Sequence, residues 1–313
     1  MQLSDRIRRR IKLQDLHVLM TVVQAGSMGK AARRLNVSQP AISRSITELE
    51  HTLEVRLLDR YRHGIEPTEY GRALLDCGVA VFDDLDQGVK NIEFLADPEA
   101  GEVRIGYNPF LAATFVCAVI DRLSRQYPRI VFHVVAAEVE ALQRELRARN
   151  IDLIVAWRFD PGADEQLGFE KLYDDSYAVA AGANNPWARR RTVELADLMN
   201  QLWVLPPPDT VVGSLARDAF RASGLDCPRA CVSTLQAEVR VHLLATGRFL
   251  TIFPASAIRF IARRPDIKAL PVRLPMAGGS IGIVTLKNRT LGAVVQLFID
   301  TAREVAKPLA RRK

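Results

Sequence analysis

The chain has 313 residues, of which 48% are hydrophobic and 25% are charged, a composition typical of globular proteins and a length sufficient for two or three domains. No apolar run could span a bilayer and no signal peptide is recognisable, so we expect a cytoplasmic protein without membrane contact. The net charge is +7, and residues 1–72 carry 13 Lys and Arg against 8 Asp and Glu, a balance of +5. This basic first part is the pattern expected of a nucleic-acid-binding domain.

Two short helices are predicted first. Apolar residues between Leu13 and Val23 recur every three or four positions, which is the spacing of one helical face. Gly26 ends that helix, and a second helix with small apolar residues on one side follows it. A turn at Asn36 then leads to the next element.

A third helix is the most clearly indicated element of this region. Ser38 is a suitable N-cap, and Pro40 lies in the first turn, where its missing N–H is not needed. The apolar stripe of the helix consists of Ile42, Ile46, Leu49 and Leu53. The opposite, polar face consists of Gln39, Ser43, Arg44 and Thr47. Three such helices predict a helix-turn-helix whose last helix enters the major groove of DNA.

A small β-hairpin with a basic tip is predicted next. Its strands are Val55–Leu58 and Ile65–Thr68, and its tip is Arg60-Tyr61-Arg62-His63-Gly64. Arginines on such a tip meet phosphates or the minor groove and position the domain without specifying sequence. The all-α unit and this hairpin together form a winged helix-turn-helix.

A long helix begins at the capping residue Thr68 and continues to about Ala96, a length of about 43 Å. The spacing of its apolar residues is that of a two-helix seam: Leu75, Phe82, Leu85, Val89 and Ile92. The stripe either packs on the core of the same chain or pairs with a second copy. We favour pairing, because a dimer suits the DNA-binding hypothesis.

An α/β region is predicted after Asp97-Pro98-Glu99-Ala100-Gly101, which breaks the long helix and forms a candidate hinge. Helical stretches then alternate with β-rich runs at Glu102–Tyr107, Arg129–Ala136, Asp152–Trp157, Leu202–Leu205 and Ser280–Leu286. This alternation predicts an α/β fold with mainly parallel sheets.

The stretch from Ala25 to Arg60 resembles the DNA-binding signature of the LysR-type transcriptional regulators. The matching residues are Gly26-Ser27, Ala31-Ala32, Leu35, Ser38-Gln39-Pro40-Ala41, Ser43, Ile46, Leu49-Glu50, Leu57, Thr68 and Gly71. Two residues depart from the pattern: Glu54 replaces a usual glycine, and Leu58 replaces a usual phenylalanine. A non-glycine residue is mildly strained if this helix end requires a left-handed backbone.

Looser similarity to the same family extends over Tyr127-Pro128, Leu146 to Leu153 and Ala245 to Pro254. It implies a periplasmic-binding-protein-like sensor of two α/β subdomains, joined by two crossovers, with a small-molecule effector in the cleft between them. It also implies a homodimer through the long helix, often assembled to a homotetramer. The expected domains are a winged helix-turn-helix over 1–67, a linker helix over 68–96 and the effector-binding domain over 97–313.

The polar face of the third helix supplies the predicted base contacts, which are Gln39, Ser43, Arg44 and Thr47, because amides pair with adenine and guanidinium groups with guanine. The predicted phosphate contacts are Ser38, Arg33, Arg34, Arg60 and Arg62. A dimer places two such helices about 34 Å apart, so the expected partner is double-stranded DNA with an interrupted inverted repeat. RNA polymerase is a further candidate partner.

Effector-binding residues are expected where strands of the α/β region end, because ligands bind at the carboxyl ends of strands in open sheets. The candidates are Asn108, Pro109, Phe110, Trp157, Arg158, Ser233 and Thr234. Ser233 or Thr234 could equally serve as the N-cap of a helix from Leu235 to Thr246, and Trp157 could belong to the core. The expected effector is an organic acid or a sugar-like metabolite.

An enzyme carrying a DNA-binding module is the main alternative. The histidines and cysteines show no metal-binding spacing, and neither a nucleophile elbow nor a phosphate-binding loop is present, so we expect no cofactor, no metal and no catalytic residue. A redox pair of Cys227 and Cys231 is weighed and set aside, because Pro228 lies between them and no resolving geometry is evident. A nucleoid-type structural protein is the third alternative, but it would not need a second, nearly neutral α/β domain.

Overall fold

The computed structural model describes residues 11–61, 64–107, 113–157, 164–261, 266–274 and 279–310. Its contacts divide the chain into two compact units, Met1–Val89 and Lys90–Lys313. This division falls inside the long helix, several residues before the segment 97–101 that the sequence indicates as a hinge. In the described part of the chain, no helix combines the length and the apolarity needed to cross a membrane.

The first unit begins with three helices: α1 (Leu13–Ala25), α2 (Met28–Arg34) and α3 (Gln39–Leu53). Gly26 ends α1 in the left-handed conformation, with φ of 68°, and the Ser27 hydroxyl accepts the Lys30 N–H to begin α2. The three helices enclose one apolar core, which contains Leu19, Val22, Ala31, Ile42, Ile46 and Leu49. The predicted stripe of α3 is therefore confirmed, except that Leu53 is only half-buried.

The wing consists of β1 (Leu58–Tyr61) and β2 (Gly64–Pro67), which pair antiparallel. The first strand begins three residues later than the predicted Val55–Leu58. The shift arises because the Glu50 carboxylate accepts the N–H groups of Leu57 and Leu58, at 2.8 and 3.2 Å, and so holds the approach to β1 beside α3.

The long helix α4 spans Glu69–Ala96, as the sequence predicts. The Thr68 hydroxyl accepts the Gly71 N–H at 3.0 Å and begins it. In the chain taken alone, its apolar seam is increasingly exposed toward its end: Leu85 is 47% exposed, Val89 55% and Ile92 68%. Such a contiguous apolar stripe on the outside of a helix indicates a surface that another element covers.

The second unit contains two five-stranded sheets. Its helices are α5 (Ala113–Gln126), α6 (Val139–Arg147), α7 (Val211–Ala222), α8 (Ala237–Ala245), α9 (Ala255–Ile261) and α10 (Ala293–Ala310), with short 3-10 turns at Pro186–Arg189 and Leu195–Leu198. Its strands are β3 (Ala100–Tyr107), β4 (Arg129–Ala136), β5 (Leu153–Trp157), β6 (Leu167–Asp175), β7 (Tyr177–Gly182), β8 (Leu202–Leu205), β9 (Val232–Ser233), β10 (Phe249–Pro254), β11 (Ile267–Ala269) and β12 (Gly279–Leu286).

The sheets are mixed, so the prediction of mainly parallel sheets is wrong. In the order β4-β3-β5-β12-β6, the first three strands run parallel and β12 pairs antiparallel with both of its neighbours. In the order β11-β7-β10-β8-β9, strands β10, β8 and β9 run parallel, whereas β7 is antiparallel to β10 and β11. The alternation of helices and strands in the sequence does not indicate which strands run antiparallel to their neighbours.

The chain passes from the first sheet to the second at Ser176, between β6 and β7, and returns between β11 and β12. Two α/β subdomains result, as the sequence predicts. Asp175 stabilises the first crossover: its carboxylate is buried and accepts the N–H groups of Ser176 and Ser256, at 3.0 and 3.1 Å, and the Ser256 hydroxyl. The candidate hinge 97–101 overlaps a strand, because β3 begins at Ala100 and so includes its last two residues.

Candidate functional site

The N-terminus of α3 presents the candidate DNA-reading residues. The Ser38 hydroxyl accepts the Ala41 N–H at 3.4 Å and so begins the helix, with Pro40 in its first turn. Because Ile42, Ile46 and Leu49 occupy the buried side, the opposite side must face outward. Gln39, Arg44 and Thr47 are exposed on it, and Ser43 is half-buried.

The side chains on this face differ in their local contacts. The Thr47 hydroxyl donates to the Ser43 carbonyl at 2.8 Å, one turn earlier, so its proton is already engaged within the helix. The Gln39 side-chain oxygen lies 3.4 Å from the position that a Cβ on Gly29 would take, an ordinary van der Waals distance that places this amide beside the first turn of α2.

The candidate phosphate contacts surround this face. Arg33 and Arg34 are exposed in the last turn of α2, and Arg60 is exposed on β1, where it pairs with Ile65 of β2. Arg62 lies outside the described residues. Helix α2 and the wing thus carry exposed guanidinium groups, a residue type that commonly contacts DNA phosphates.

Several hydrogen bonds connect α3 and the wing to their neighbours, and sequence reasoning did not assign them roles. Glu50 connects α3 to the wing through two backbone amides, and the Thr68 hydroxyl donates to the Arg56 carbonyl at 2.7 Å. The Ser45 hydroxyl donates to Asp15 at 3.0 Å and joins α3 to α1. The position of Glu50 on the inner side of α3, amid an apolar stripe, was the available signal.

Glu54 ends α3 in the left-handed conformation, with φ of 58°. The usual glycine at this position therefore matches a helix end that requires a left-handed backbone, which Glu54 adopts here. A side chain costs free energy in this conformation, whereas glycine adopts it without a steric penalty.

Glu54→Gly is expected to stabilise the first unit by up to about 1 kcal/mol, because it removes the left-handed strain. Hydrogen exchange of the α3 amides should slow by up to about fivefold, since opening becomes correspondingly less frequent. Asn36→Gly is the matched control. Asn36 has φ of 54°, and because asparagine tolerates this region, a smaller change is expected there. Faster exchange in Glu54→Gly would contradict the strain argument.

The described effector candidates lie at the carboxyl ends of parallel strands in both subdomains. Trp157 ends β5, which runs parallel to β3, and Ser233 ends β9 opposite Leu205 of β8. Ser233 is exposed and Thr234 is half-buried. Asn108, Pro109, Phe110 and Arg158 lie outside the described residues.

The predicted capping role of Ser233 and Thr234 is wrong. Helix α8 begins at Ala237 rather than at Leu235, and its N-cap is Gln236. The Thr234 hydroxyl instead accepts the Gln236 N–H at 3.1 Å in the preceding turn, while the Thr234 N–H donates to the Leu205 carbonyl at 3.0 Å. The turn delays the helix by two residues and leaves Ser233 at the strand end.

Tyr107 and Glu238 are two residues of this region that sequence reasoning missed. Tyr107 ends β3 in one subdomain, and Glu238 lies in the first turn of α8 in the other. Burial raises the pKa of the Tyr107 phenol, and the nearby Cys117 thiol and Glu238 carboxylate raise it further. The Glu238 carboxylate of one subdomain therefore lies near the Tyr107 phenol of the other.

Arg240 joins helix α8 to strand β10 in the second subdomain. It is wholly buried, its Nε donates to the Thr251 hydroxyl at 3.0 Å, and its guanidinium lies 4.3 Å from the centre of the Phe253 ring. Burial lowers the pKa of Arg240 to about 9, because desolvation disfavours its charged form. The side chain thereby holds α8 against β10.

The described residues contain no group of three or more His, Cys, Asp and Glu side chains that could bind a metal ion. All four cysteines are free. Burial raises the pKa of the Cys227 thiol, which reduces its thiolate fraction at neutral pH, and the Cys231 thiol contacts the Trp203 carbonyl at 3.1 Å. The low thiolate fraction makes Cys227 a poor nucleophile.

Comparisons with known proteins match both parts of this geometry. A family described as "Bacterial regulatory helix-turn-helix protein, lysR family" matches residues 13–72, and one described as "LysR substrate binding domain" matches residues 96–307. The Escherichia coli (strain K12) protein "Uncharacterized HTH-type transcriptional regulator YdcI" is 27% identical over 304 residues, which cover 97% of this chain and 99% of that protein.

Two solved structures of full-length proteins share the fold. A full-length OxyR variant from Pseudomonas aeruginosa has a TM-score of 0.65 at 21% identity, covering 97% of this chain and 99% of that one. Full-length CbnR in complex with its target DNA has a TM-score of 0.52 at 24% identity, covering 95% and 100%. The similarity therefore extends along nearly the whole chain.

Proposed function

This chain belongs to the LysR family of transcriptional regulators, and from that premise we propose that it binds a specific operator as a homo-oligomer. We propose further that its affinity for the operator changes when an effector binds. It is a DNA-binding transcription regulator with an effector-binding domain, not an enzyme. The observation that carries the operator proposal is the outward polar face of α3, which starts at the capped Ser38 and lies opposite a buried stripe.

We propose that Gln39, Ser43 and Arg44 contact base edges, that Thr47 adds a weaker contact, and that the phosphate contacts come from Ser38, Arg33, Arg34, Arg60 and Arg62. Among these residues, those that the structure describes are exposed except for the half-buried Ser43, which supports their access to DNA. Two copies joined through α4 require an operator with an interrupted inverted repeat, because each reading helix enters one major groove. RNA polymerase is the partner we propose at the promoter.

Arg44→Ala and Arg60→Ala should weaken DNA binding in different ways. Arg44→Ala is expected to cost about 1–3 kcal/mol on the operator and to relax the preference at one base pair, since a bidentate contact to guanine is lost. Arg60→Ala is expected to weaken binding to operator and to random DNA alike. The slope of log K against log salt concentration should fall by about one, because one phosphate contact is lost. Mobility-shift titrations on both DNAs at several salt concentrations test this. Equal losses on both DNAs for both variants would contradict the base contact.

We also propose that the effector is an organic acid or a sugar-like metabolite bound in the cleft between the subdomains. The proposed contacts are Asn108, Pro109, Phe110, Trp157, Arg158, Ser233 and Thr234. The position of Trp157 and Ser233 at carboxyl ends of parallel strands supports this location, because such ends collect ligands in α/β folds. The effector must favour one arrangement of the protein over another.

A thermal-shift screen of organic acids and sugars, followed by operator titration, tests the effector proposal. Any compound that raises the melting temperature should also change the operator affinity. Ser233→Ala should weaken the binding of that compound, whereas Ser214→Ala, on α7, serves as a matched hydroxyl control. Binding that leaves DNA affinity and transcription unchanged would contradict the coupling.

A further inference from the structure

Four arginines form an exposed basic surface at one corner of the second subdomain, which we call the arginine corner: Arg189, Arg190, Arg191 and Arg248. The first three are consecutive and exposed, and they begin at Arg189, the last residue of the 3-10 turn Pro186–Arg189. None of the base and phosphate contacts proposed above lies on this subdomain. We propose that the arginine corner is a second, sequence-independent binding surface for the phosphate backbone of double-stranded DNA.

The backbone of the corner is held rigidly. Asn185 is only 3% exposed; its side-chain oxygen accepts the Trp187 N–H at 2.9 Å, and its side-chain nitrogen donates to the Gly247 carbonyl at 3.0 Å. One buried amide therefore joins the segment before the three arginines to the residue before Arg248. Exposed charges on an anchored backbone lose less conformational entropy when they bind a partner.

Two of the guanidinium groups also lie over aromatic rings. Arg190 lies 5.8 Å from the centre of the Trp187 ring, and Arg248 lies 5.6 Å from the centre of the Phe249 ring. Both rings pack against the hydrophobic core. Stacking orients the planar guanidinium while its N–H edges remain available for phosphate oxygens, which it can bind in pairs.

The corner differs from other arginines of this unit in its electrostatic surroundings. Arg129 pairs with Asp97 and Glu99, and Arg303 pairs with Glu170 and Asp300. Among ion pairs between described residues, none includes a member of the arginine corner.

The carboxylates nearest along the chain are directed elsewhere. Glu194 and Asp197 form a reciprocal capping box at the next 3-10 turn, in which Asp197 accepts the Glu194 N–H at 3.2 Å. Their carboxylates are thus hydrogen-bonded to local backbone N–H groups and not to the arginine corner. The corner presents positive charge that the described part of the chain does not neutralise.

The chemistry of the corner fits DNA better than a protein partner. Tight protein interfaces centre on buried aromatic or apolar anchors, whereas the two rings here lie half-buried beneath guanidinium groups. The inference rests on the proposed operator binding, because the helix-turn-helix of the same chain would hold flanking DNA at high effective concentration for a second contact. A contact of this kind adds affinity and salt dependence but no sequence preference.

The test compares the full chain with the variant Arg189→Gln/Arg190→Gln/Arg191→Gln on two duplexes. The short duplex contains only the footprint of the operator, and the long duplex extends about three helical turns beyond it on each side. The control variant is Arg144→Gln/Arg221→Gln/Arg229→Gln, which removes the same charge from scattered, exposed positions. Dissociation constants are measured between 50 and 200 mM salt.

The corner variant is expected to bind the long duplex roughly tenfold more weakly at low salt, with a salt slope lower by about two, since each phosphate contact contributes about 0.9. On the short duplex, the corner variant should bind as tightly as the unaltered protein. The control variant should bind both duplexes as tightly as the unaltered protein. Equal slopes for the corner variant and the unaltered protein, or the same loss in the control, would overturn the proposal. Unchanged DNA affinity with impaired transcription in vitro would also overturn it and would assign the corner to an acidic protein surface. Failure of the unaltered protein to bind any operator would instead contradict the proposed function.

Discussion

Replacing Arg289 by methionine is expected to lower the free energy of unfolding of the second unit by about 3–5 kcal/mol, because it leaves a buried carboxylate without its cation. The Arg289 guanidinium donates to Asp152 at 2.9 Å and to the Ile151 carbonyl at 2.7 Å, and the two charged side chains are only 2% and 5% exposed. Asp152 also accepts the Arg104 N–H at 2.8 Å. The pair joins β5, β3 and the segment before α10.

A double-mutant cycle separates the ion pair from the loss of packing. Asp152→Asn keeps an acceptor for the Arg104 N–H but removes the charge, so Asp152→Asn/Arg289→Met should be less destabilised than the sum of the single variants. All three tryptophans lie in the second unit, so urea unfolding followed by tryptophan fluorescence reports on that unit. Additive losses would show that the charges do not interact.

Val89→Glu/Ile92→Glu is expected to raise the dissociation constant of the homodimer by on the order of a hundredfold or more. Each side chain contributes about 1.5–3 kcal/mol when it is buried, and a charge in a two-helix seam adds a desolvation cost. Both residues are more than half exposed in the chain taken alone, so the fold of the monomer should persist. Sedimentation velocity measures the association, and operator titration should show loss of affinity for the full repeat.

Ala73→Glu/Cys77→Glu is the matched control for the seam. These positions are exposed on the same helix but lie off the apolar stripe, so the same added charge should leave the dimer intact. A seam variant that sediments like the unaltered protein would show that α4 does not hold the copies together. The exposed apolar stripe of α4 would then have to pack against a different partner.

The helices of the first unit were predictable because their signals are local. A cap at Ser38, a proline in the first turn and an apolar residue every three or four positions all act within one helix, so neighbouring residues suffice to define α3. The wing was less predictable. Its first strand begins at Leu58 because the Glu50 carboxylate holds two amides seven and eight residues away, a contact that no local pattern indicates.

In the second unit, strands β4 and β8 were predicted with their observed bounds and run parallel to their neighbours as expected, whereas the antiparallel direction of β12 was not predicted. Strand β12 joins β5 and β6 from more than a hundred residues further along the chain, and it runs antiparallel to both. The end of the Val232–Ser233 strand was predicted, but the two-residue delay before α8 depends on hydrogen bonds to β8. Tyr107 and Glu238 likewise become neighbours only when the two subdomains meet.

The resemblance to the LysR family implied a sensing part. The amino-acid sequence by itself determined the helix-turn-helix, the polar face of its third helix and the long helix with its apolar seam. Caps, periodicity and charge carry these features, and each acts over a few residues. The tertiary structure alone decided the mixed sheets, the Asp175 crossover, the buried Asp152–Arg289 pair and the arginine corner. Each of these depends on pairing or burial between segments far apart in the chain. The stabilising free energy arises only when the two segments meet, so neither segment alone indicates it.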